Sequence, residues 1–221
     1  MTHSLFVRSF YVFFIAIILS SCSTFNQEGQ EQNVVQDQPE FKYIKIKTSE
    51  GDIVLQLTNK QTPITVSNFL RYVEDGHYKG SIFHRVIKNF MIQGGGFDEK
   101  MQMISTREPI QNEAMKGNKN KKGTIAMART VDPNSAKAQF FINVNDNDFL
   151  NYKNNSIKGY GYCVFGKVIK GMDVVNKIQN VNTQTLNNFR NVPTKNIIIF
   201  NIEKISEPSE LLIQNNTKTD K

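Results

Sequence analysis

Phe83-His84-Arg85-Val86-Ile87-Lys88-Asn89-Phe90-Met91-Ile92-Gln93-Gly94-Gly95 is the stretch from which the rest of the chain is read. It puts one guanidinium, one amide and two large apolar side chains on two short strands, and a double glycine ends the run. Arg85 is permanently charged and offers a planar fork of donors. Gln93 can both donate and accept. Phe90 and Met91 supply apolar, adaptable walls. Such a set can hold a small apolar ring while a cation sits over the adjacent peptide bond. It contains no evident nucleophile and no metal cluster. His84 neighbours Arg85, so strand alternation turns it to the other face, and it is read as structural.

Outward from this stretch lie three more segments in order: Gly123-Thr124-Ile125-Ala126-Met127-Ala128-Arg129-Thr130, Gln139-Phe140-Phe141-Ile142-Asn143 and Val164-Phe165-Gly166-Lys167-Val168. With the first, they resemble the signature of the cyclophilins, the peptidyl-prolyl cis-trans isomerases. The similarity runs from about Phe41 to about Ile205, and the Ala-Arg-Thr variant resembles the bacterial branch. The resemblance implies a mainly β fold: a closed eight-stranded antiparallel β-barrel capped by two α-helices. It implies an isomerase acting on proline-containing polypeptides without a cofactor or metal. It makes Arg85 catalytic, with Gln93 positioning it or the rotating carbonyl. Phe90, Met91, Phe141 and Leu150 become the walls of a prolyl socket. Ala128, Gln139, Phe149 and Tyr162 become substrate-binding positions, as does Arg129 through its backbone groups. Three of these depart from the eukaryotic pattern. Phe149 stands where tryptophan is usual, Tyr162 where histidine is usual, and Arg129 replaces an asparagine.

The chemistry implied is a rotation, with no bond to water broken. Twisting the amide costs about 18–20 kcal/mol because C–N resonance is lost. The twist returns a lone pair to the prolyl nitrogen. A donor near that nitrogen therefore favours the twisted state over either planar one.

At 221 residues the chain accommodates one domain plus appendages. A domain of roughly 165 residues can bury a sizeable core. Hydrophobic content is 39% and formal net charge +7. That charge permits weak attraction to phosphates or anionic lipid heads, but a solvated lysine-rich surface is the simpler reading. No basic helix or aromatic RNA-binding signature supports a nucleic-acid role. The only cysteines are Cys22 and Cys163, and the only histidines His3, His77 and His84. No Cys-x-x-Cys or His-x-x-x-His pair supports a metal site. No nucleophile-elbow pattern surrounds a serine. Cys163 lies in an apolar strand and reads as an inert buried thiol.

Residues 1–21 read as an export signal. Arg8 precedes the apolar run Phe10 to Leu19, too short to span a bilayer as a helix. Leu19-Ser20-Ser21-Cys22 resembles a bacterial lipobox, with Cys22 acylated as the first mature residue; an ordinary cleaved signal is the alternative. Several acyl chains on one cysteine anchor better than a single chain. Ser23 resembles the sorting signal of outer-membrane lipoproteins. Residues 22–40 are polar and read as a flexible tether, 41–207 as the isomerase domain and 208–221 as a polar tail. The expected setting is the cell envelope, with the protein a monomer held on the outer membrane and facing the periplasm.

Within the domain, Phe41 to Lys47 alternates apolar and charged, Ser49 to Asp52 is a turn, and Ile53 to Leu57 returns as the second arm of a hairpin. Thr62-Pro63 reads as N-cap and first helical position. Val66, Phe69, Leu70 and Val73 form the apolar stripe of that helix, and Gly76 stops it. Strands are expected near residues 81–87, 90–93, 124–128, 139–143, 162–169 and 195–205, and a second helix over 172–178. Residues 98–122 read as a long, solvated surface excursion. Two other functional readings stay open: a holdase or binding module on the same fold, and a binder of anionic surfaces.

Overall fold

The computed structural model describes residues 41–209. The first hairpin is β1 (Phe41–Thr48) and β2 (Gly51–Thr58), paired from Phe41 opposite Thr58 to Thr48 opposite Gly51. Ile44 and Ile46 of β1 and Ile53, Leu55 and Leu57 of β2 are fully buried, while Lys45 and Lys47 stay half-buried on the outer face. The following strands are β3 (Ser81–Ile82), β4 (Arg85–Ile87), β5 (Met91–Gly94), β6 (Thr124–Met127), β7 (Phe140–Asn143), β8 (Val164–Lys170), β9 (Thr183–Leu186), β10 (Phe189–Pro193) and β11 (Ile198–Ile205). One nine-stranded sheet runs β3-β11-β1-β2-β8-β6-β7-β5-β4, and all its ladders are antiparallel.

A closed eight-stranded barrel was expected, and the structure differs. The nine strands form an open, strongly curled half-barrel whose edges, β3 and β4, share no ladder. The reason is local. Only Phe83 and His84 separate these strands, and the edge amides find other partners: Ile82 N donates to Phe97 O at 3.0 Å and Phe83 N to Ile197 O at 2.9 Å. The seam is filled by neighbouring loop backbone instead of by strand pairing. A second difference is the β9–β10 ribbon, which shares no ladder with the main sheet and turns at Asn187 with φ 52°. It was absent from the sequence reading.

Helix α1 (Pro63–Glu74) buries Val66, Phe69 and Leu70 as the stripe required. Phe69 meets the rings of Tyr78, Phe140 and Phe165 at 5.2, 5.7 and 5.2 Å. Its C-terminus closes as a Schellman turn: Gly76 N bonds Val73 O and His77 N bonds Tyr72 O, with Gly76 at φ 68°. Its N-terminus departs from expectation. Thr62 occupies the cap position but makes no capping bond; its hydroxyl bonds Thr58 O at 3.2 Å. The buried carboxylate of Glu113 takes that role, accepting from Ile64 N at 3.3 Å, Thr65 N at 2.8 Å and the Thr65 hydroxyl at 2.7 Å. Segment 98–122 forms no strand, as expected, yet it is more than a solvated excursion, since Asn112, Glu113, Ala114 and Asn120 are buried. Helix α2 (Met172–Gln179) adds Val175 and Ile178 to the core.

Alternation across the sheet separates two apolar clusters. Ile92, Ile125, Phe140 and Ile142 face the main core shared with both helices. Met91, Ala126, Phe141 and Val164 point to the opposite face and gather with Leu150. Cys163 is buried beside the Thr65 hydroxyl at 3.4 Å, and burial pushes its thiol up to about 12.

Candidate active site

The smaller cluster is the floor of the candidate site. Strand register lays four positions in one row across the sheet: Arg85 opposite Gln93, Gln93 opposite Phe141, and Phe141 opposite Ala126. Period-two geometry then obliges the side chains of this row to share a face. Arg85 Nη1 donates to Gln93 Oε1 at 3.2 Å, and Gln93 Nε2 donates to Gln139 Oε1 at 2.9 Å. The Gln93 amide thus spends its oxygen on Arg85 and its nitrogen on Gln139, which leaves it a single orientation.

Beside this relay is a hollow of about 110 Å³ lined by Arg85, Phe90, Met91, Gln93, Ala128, Arg129, Phe141, Leu150 and Tyr162. Phe141 meets Tyr162 edge-on at 5.7 Å. Leu150 comes from the short 3₁₀ turn Asp148–Leu150 and closes the far wall. Among the described residues no carboxylate lines the hollow. Arg85 is half-buried, and desolvation lowers its pKa, opposed by Tyr162. An arginine so placed remains a cation at neutral pH, and one with less competing water interacts more strongly. The arrangement is an apolar socket of ring size with the Arg85 guanidinium, held by Gln93, at its rim.

Two of the sequence-derived positions lie outside the hollow. Gln139 lies behind Gln93 and borders a second, wider groove with Met103, Thr106 and Lys137. Phe149 is 64% exposed and stacks on Phe90 at 5.5 Å, so it flanks the socket without lining it. Arg129 does more than its expected backbone role. Its guanidinium lies 4.6 Å over the Tyr162 ring, while Nε bonds Gly161 O and Nη1 bonds the carbonyls of Thr130 and Val131. Cys22 falls outside the described residues. His84 is buried against Phe97, ring to ring at 4.6 Å, on the face away from Arg85's relay. Burial lowers its pKa to about 4, the Ile82 carbonyl opposing and the Arg85 cation reinforcing the shift.

Sequence reasoning missed Gly96. A side chain there would collide with that of Gln139, so the bare backbone is what lets Gln139 reach Gln93. A third consecutive glycine was the available signal. It also missed the buried asparagines beneath the socket, which follow no apolar period.

Comparison with known proteins agrees with this geometry. Residues 43–204 match the family model described as cyclophilin type peptidyl-prolyl cis-trans isomerase/CLD. The chain is 53% identical over 156 residues to peptidyl-prolyl cis-trans isomerase B of Escherichia coli, covering 71% of this chain and 95% of that protein. It is 54% identical over 156 residues to peptidyl-prolyl cis-trans isomerase cyp18 of Streptomyces antibioticus, covering 71% and 94%. Among solved structures, a cyclophilin type peptidyl-prolyl cis-trans isomerase of Cryptosporidium parvum superposes with a TM-score of 0.62 at 30% identity, covering 76% of this chain and 99% of the other. A ring-sized socket under an arginine, on this sheet and in this family's sequence, leads to one conclusion: the chain belongs to the cyclophilin-type peptidyl-prolyl cis-trans isomerases and is an enzyme of that class.

Proposed function

We propose that the protein isomerises X–Pro bonds in exported polypeptides while anchored by a lipid on Cys22, as a monomer on the periplasmic face of the outer membrane. The prolyl ring enters the hollow walled by Phe90, Met91, Phe141 and Leu150. Arg85 donates toward the prolyl nitrogen as its lone pair returns in the twisted state. Gln93 fixes Arg85, and Gln139 fixes Gln93. Ala128 and Arg129 hold the substrate chain extended, and Phe149 and Tyr162 flank the ring. The observation that carries the catalytic part is the Arg85–Gln93 contact at the rim of an apolar hollow of about 110 Å³. The lipobox-like Leu19-Ser20-Ser21-Cys22 carries the location. Uncatalysed prolyl isomerisation takes about 10–100 s, so a catalyst held where exported chains fold relieves a slow step.

The location is tested by mass spectrometry of the membrane fraction. A mature chain beginning with lipid-modified Cys22 is expected, and Cys22→Ala should release the protein from the membrane. Processing at another residue with Cys22 unmodified would overturn the anchoring.

A further inference from the structure

Three asparagines, Asn120, Asn143 and Asn147, lie within the fold directly under the socket and are almost wholly buried, at 0%, 0% and 3% exposure. Their side chains form one directional chain. Asn147 Nδ2 donates to Asn143 Oδ1 at 2.7 Å, and Asn143 Nδ2 donates to Asn120 Oδ1 at 3.2 Å. The ends of the chain reach main-chain carbonyls of three socket walls. Asn147 Nδ2 also donates to Phe90 O at 2.8 Å. Asn120 Nδ2 donates to Leu150 O at 3.2 Å and Tyr162 O at 3.3 Å. The side branch closes as well: Asn143 Nδ2 donates to the Thr124 hydroxyl at 2.9 Å, and that hydroxyl donates to Lys121 O at 2.7 Å.

Flipping any one amide would set donor against donor or acceptor against acceptor at two or more contacts, so the chain has a single arrangement. The walls it grips come from parts of the chain far apart in sequence. Phe90 precedes β5, Leu150 ends the 3₁₀ turn, and Tyr162 precedes β8. Apolar side chains pack without direction and leave the spacing of such walls soft. A satisfied buried amide network defines it. The carbonyls of Phe90 and Leu150 each accept a second bond as well, from Val144 N at 3.1 Å and Tyr162 N at 2.9 Å. They are therefore held from two directions.

We propose that Asn120, Asn143 and Asn147 are positioning residues that set the width of the prolyl socket and thereby which imino-acid ring the enzyme accepts. The inference rests on the reading that the hollow takes the prolyl ring. It adds that the ring-size limit is written in the buried amides, which touch no substrate, as much as in the apolar walls.

The test compares kcat/KM of the full-length chain on three otherwise identical peptides. One carries proline, one azetidine-2-carboxylic acid with one methylene fewer, and one pipecolic acid with one methylene more. A pocket discriminates one methylene by about tenfold or more, so a loosened wall is visible as a changed ratio. Asn147→Ala removes one of the two bonds that hold the Phe90 carbonyl, and Asn120→Ala removes the side-chain bonds to the Leu150 and Tyr162 carbonyls. Each should raise the pipecolyl-to-prolyl ratio by about threefold or more. Val66→Ala, a cavity in α1 remote from the socket, should lower stability and leave the ratio unchanged. Loss of stability alone lowers the folded fraction equally for all three peptides and cannot move the ratio. Folded asparagine variants with the wild-type ratio would overturn the proposal while leaving the proline reading intact. A wild type that turns over none of the three peptides would overturn both. Should neither variant fold, the wild type answers by NMR. The side-chain amide resonances of Asn120 and Asn147 must shift on saturation with the prolyl peptide, and unmoved resonances would overturn the proposal.

Discussion

In the proposed mechanism Arg85 is the group on which the rate depends, because strand β4 sets its half-buried guanidinium beside an apolar hollow and Gln93 holds it there. A preorganised donor of this kind contributes on the order of 3 kcal/mol to a transition state. Arg85→Ala should therefore lower kcat/KM by about a hundredfold or more, with circular dichroism showing an unchanged fold. Arg85→Lys should recover only part of the loss, since a point charge cannot both bond Gln93 Oε1 and face the hollow as a planar fork does. An alanine variant that isomerises a proline peptide at nearly the wild-type rate would remove Arg85 from the mechanism. At this scale much was legible. Arg85, Gln93, Met91 and Phe141 can be located from the motif and strand alternation, and the register places them together. The side-chain course of Arg129 was not legible. Its position matched a backbone role, whereas its three carbonyl contacts depend on how residues 130, 131 and 161 fold back.

Helix α1 shows how far local signals reach. Its apolar stripe and its Gly76 stop are read directly from spacing, since both depend on residues within two turns. Its start is not. Thr62 has the right chemistry for a cap, but its hydroxyl turns to Thr58, and a carboxylate 49 positions away from Ile64 meets the helix end instead. A long-range cap leaves no mark in a local window. Glu113→Ala should destabilise the protein by about 1–3 kcal/mol, because it strips a buried acceptor from two amides and a hydroxyl. Urea denaturation measures this, and hydrogen exchange should quicken first at Ile64 and Thr65. A denaturation midpoint equal to wild type would show that water caps the helix equally well. The β9–β10 ribbon escaped for a related reason. Thr183 to Leu186 is exposed at every position, so it carries no alternation to detect.

The molecule as a whole should be sensitive to acid through His84. Its folded pKa of about 4 lies below the unfolded value of 6.5, so the unfolded chain binds the proton first. Stability from this residue is complete above pH 6.5 and is lost as pH falls from there toward 4. The full loss is on the order of 3 kcal/mol. Unfolding free energies at pH 7 and pH 4.5 should therefore lie closer together in His84→Leu than in the wild type. An equal difference in the two proteins would clear His84 of this role. The mainly β architecture with two helices followed from the sequence, while closure of the sheet did not, since strand periodicity says which face is buried but not which amides meet at a seam. The sheet order has a consequence in time. β1 pairs with both β2 and β11, and Tyr43 waits for Ile205. A chain delivered from its N-terminus must hold one edge of β1 unsatisfied until almost the whole domain has emerged. Long-range closure of this kind slows folding, and a bare edge bearing Ile44 and Ile46 invites pairing with other chains. Lys42, Lys45 and Lys47 interrupt that edge with charge, so the alternation that marks the strand in the sequence also guards the nascent domain against aggregation until its last strand arrives.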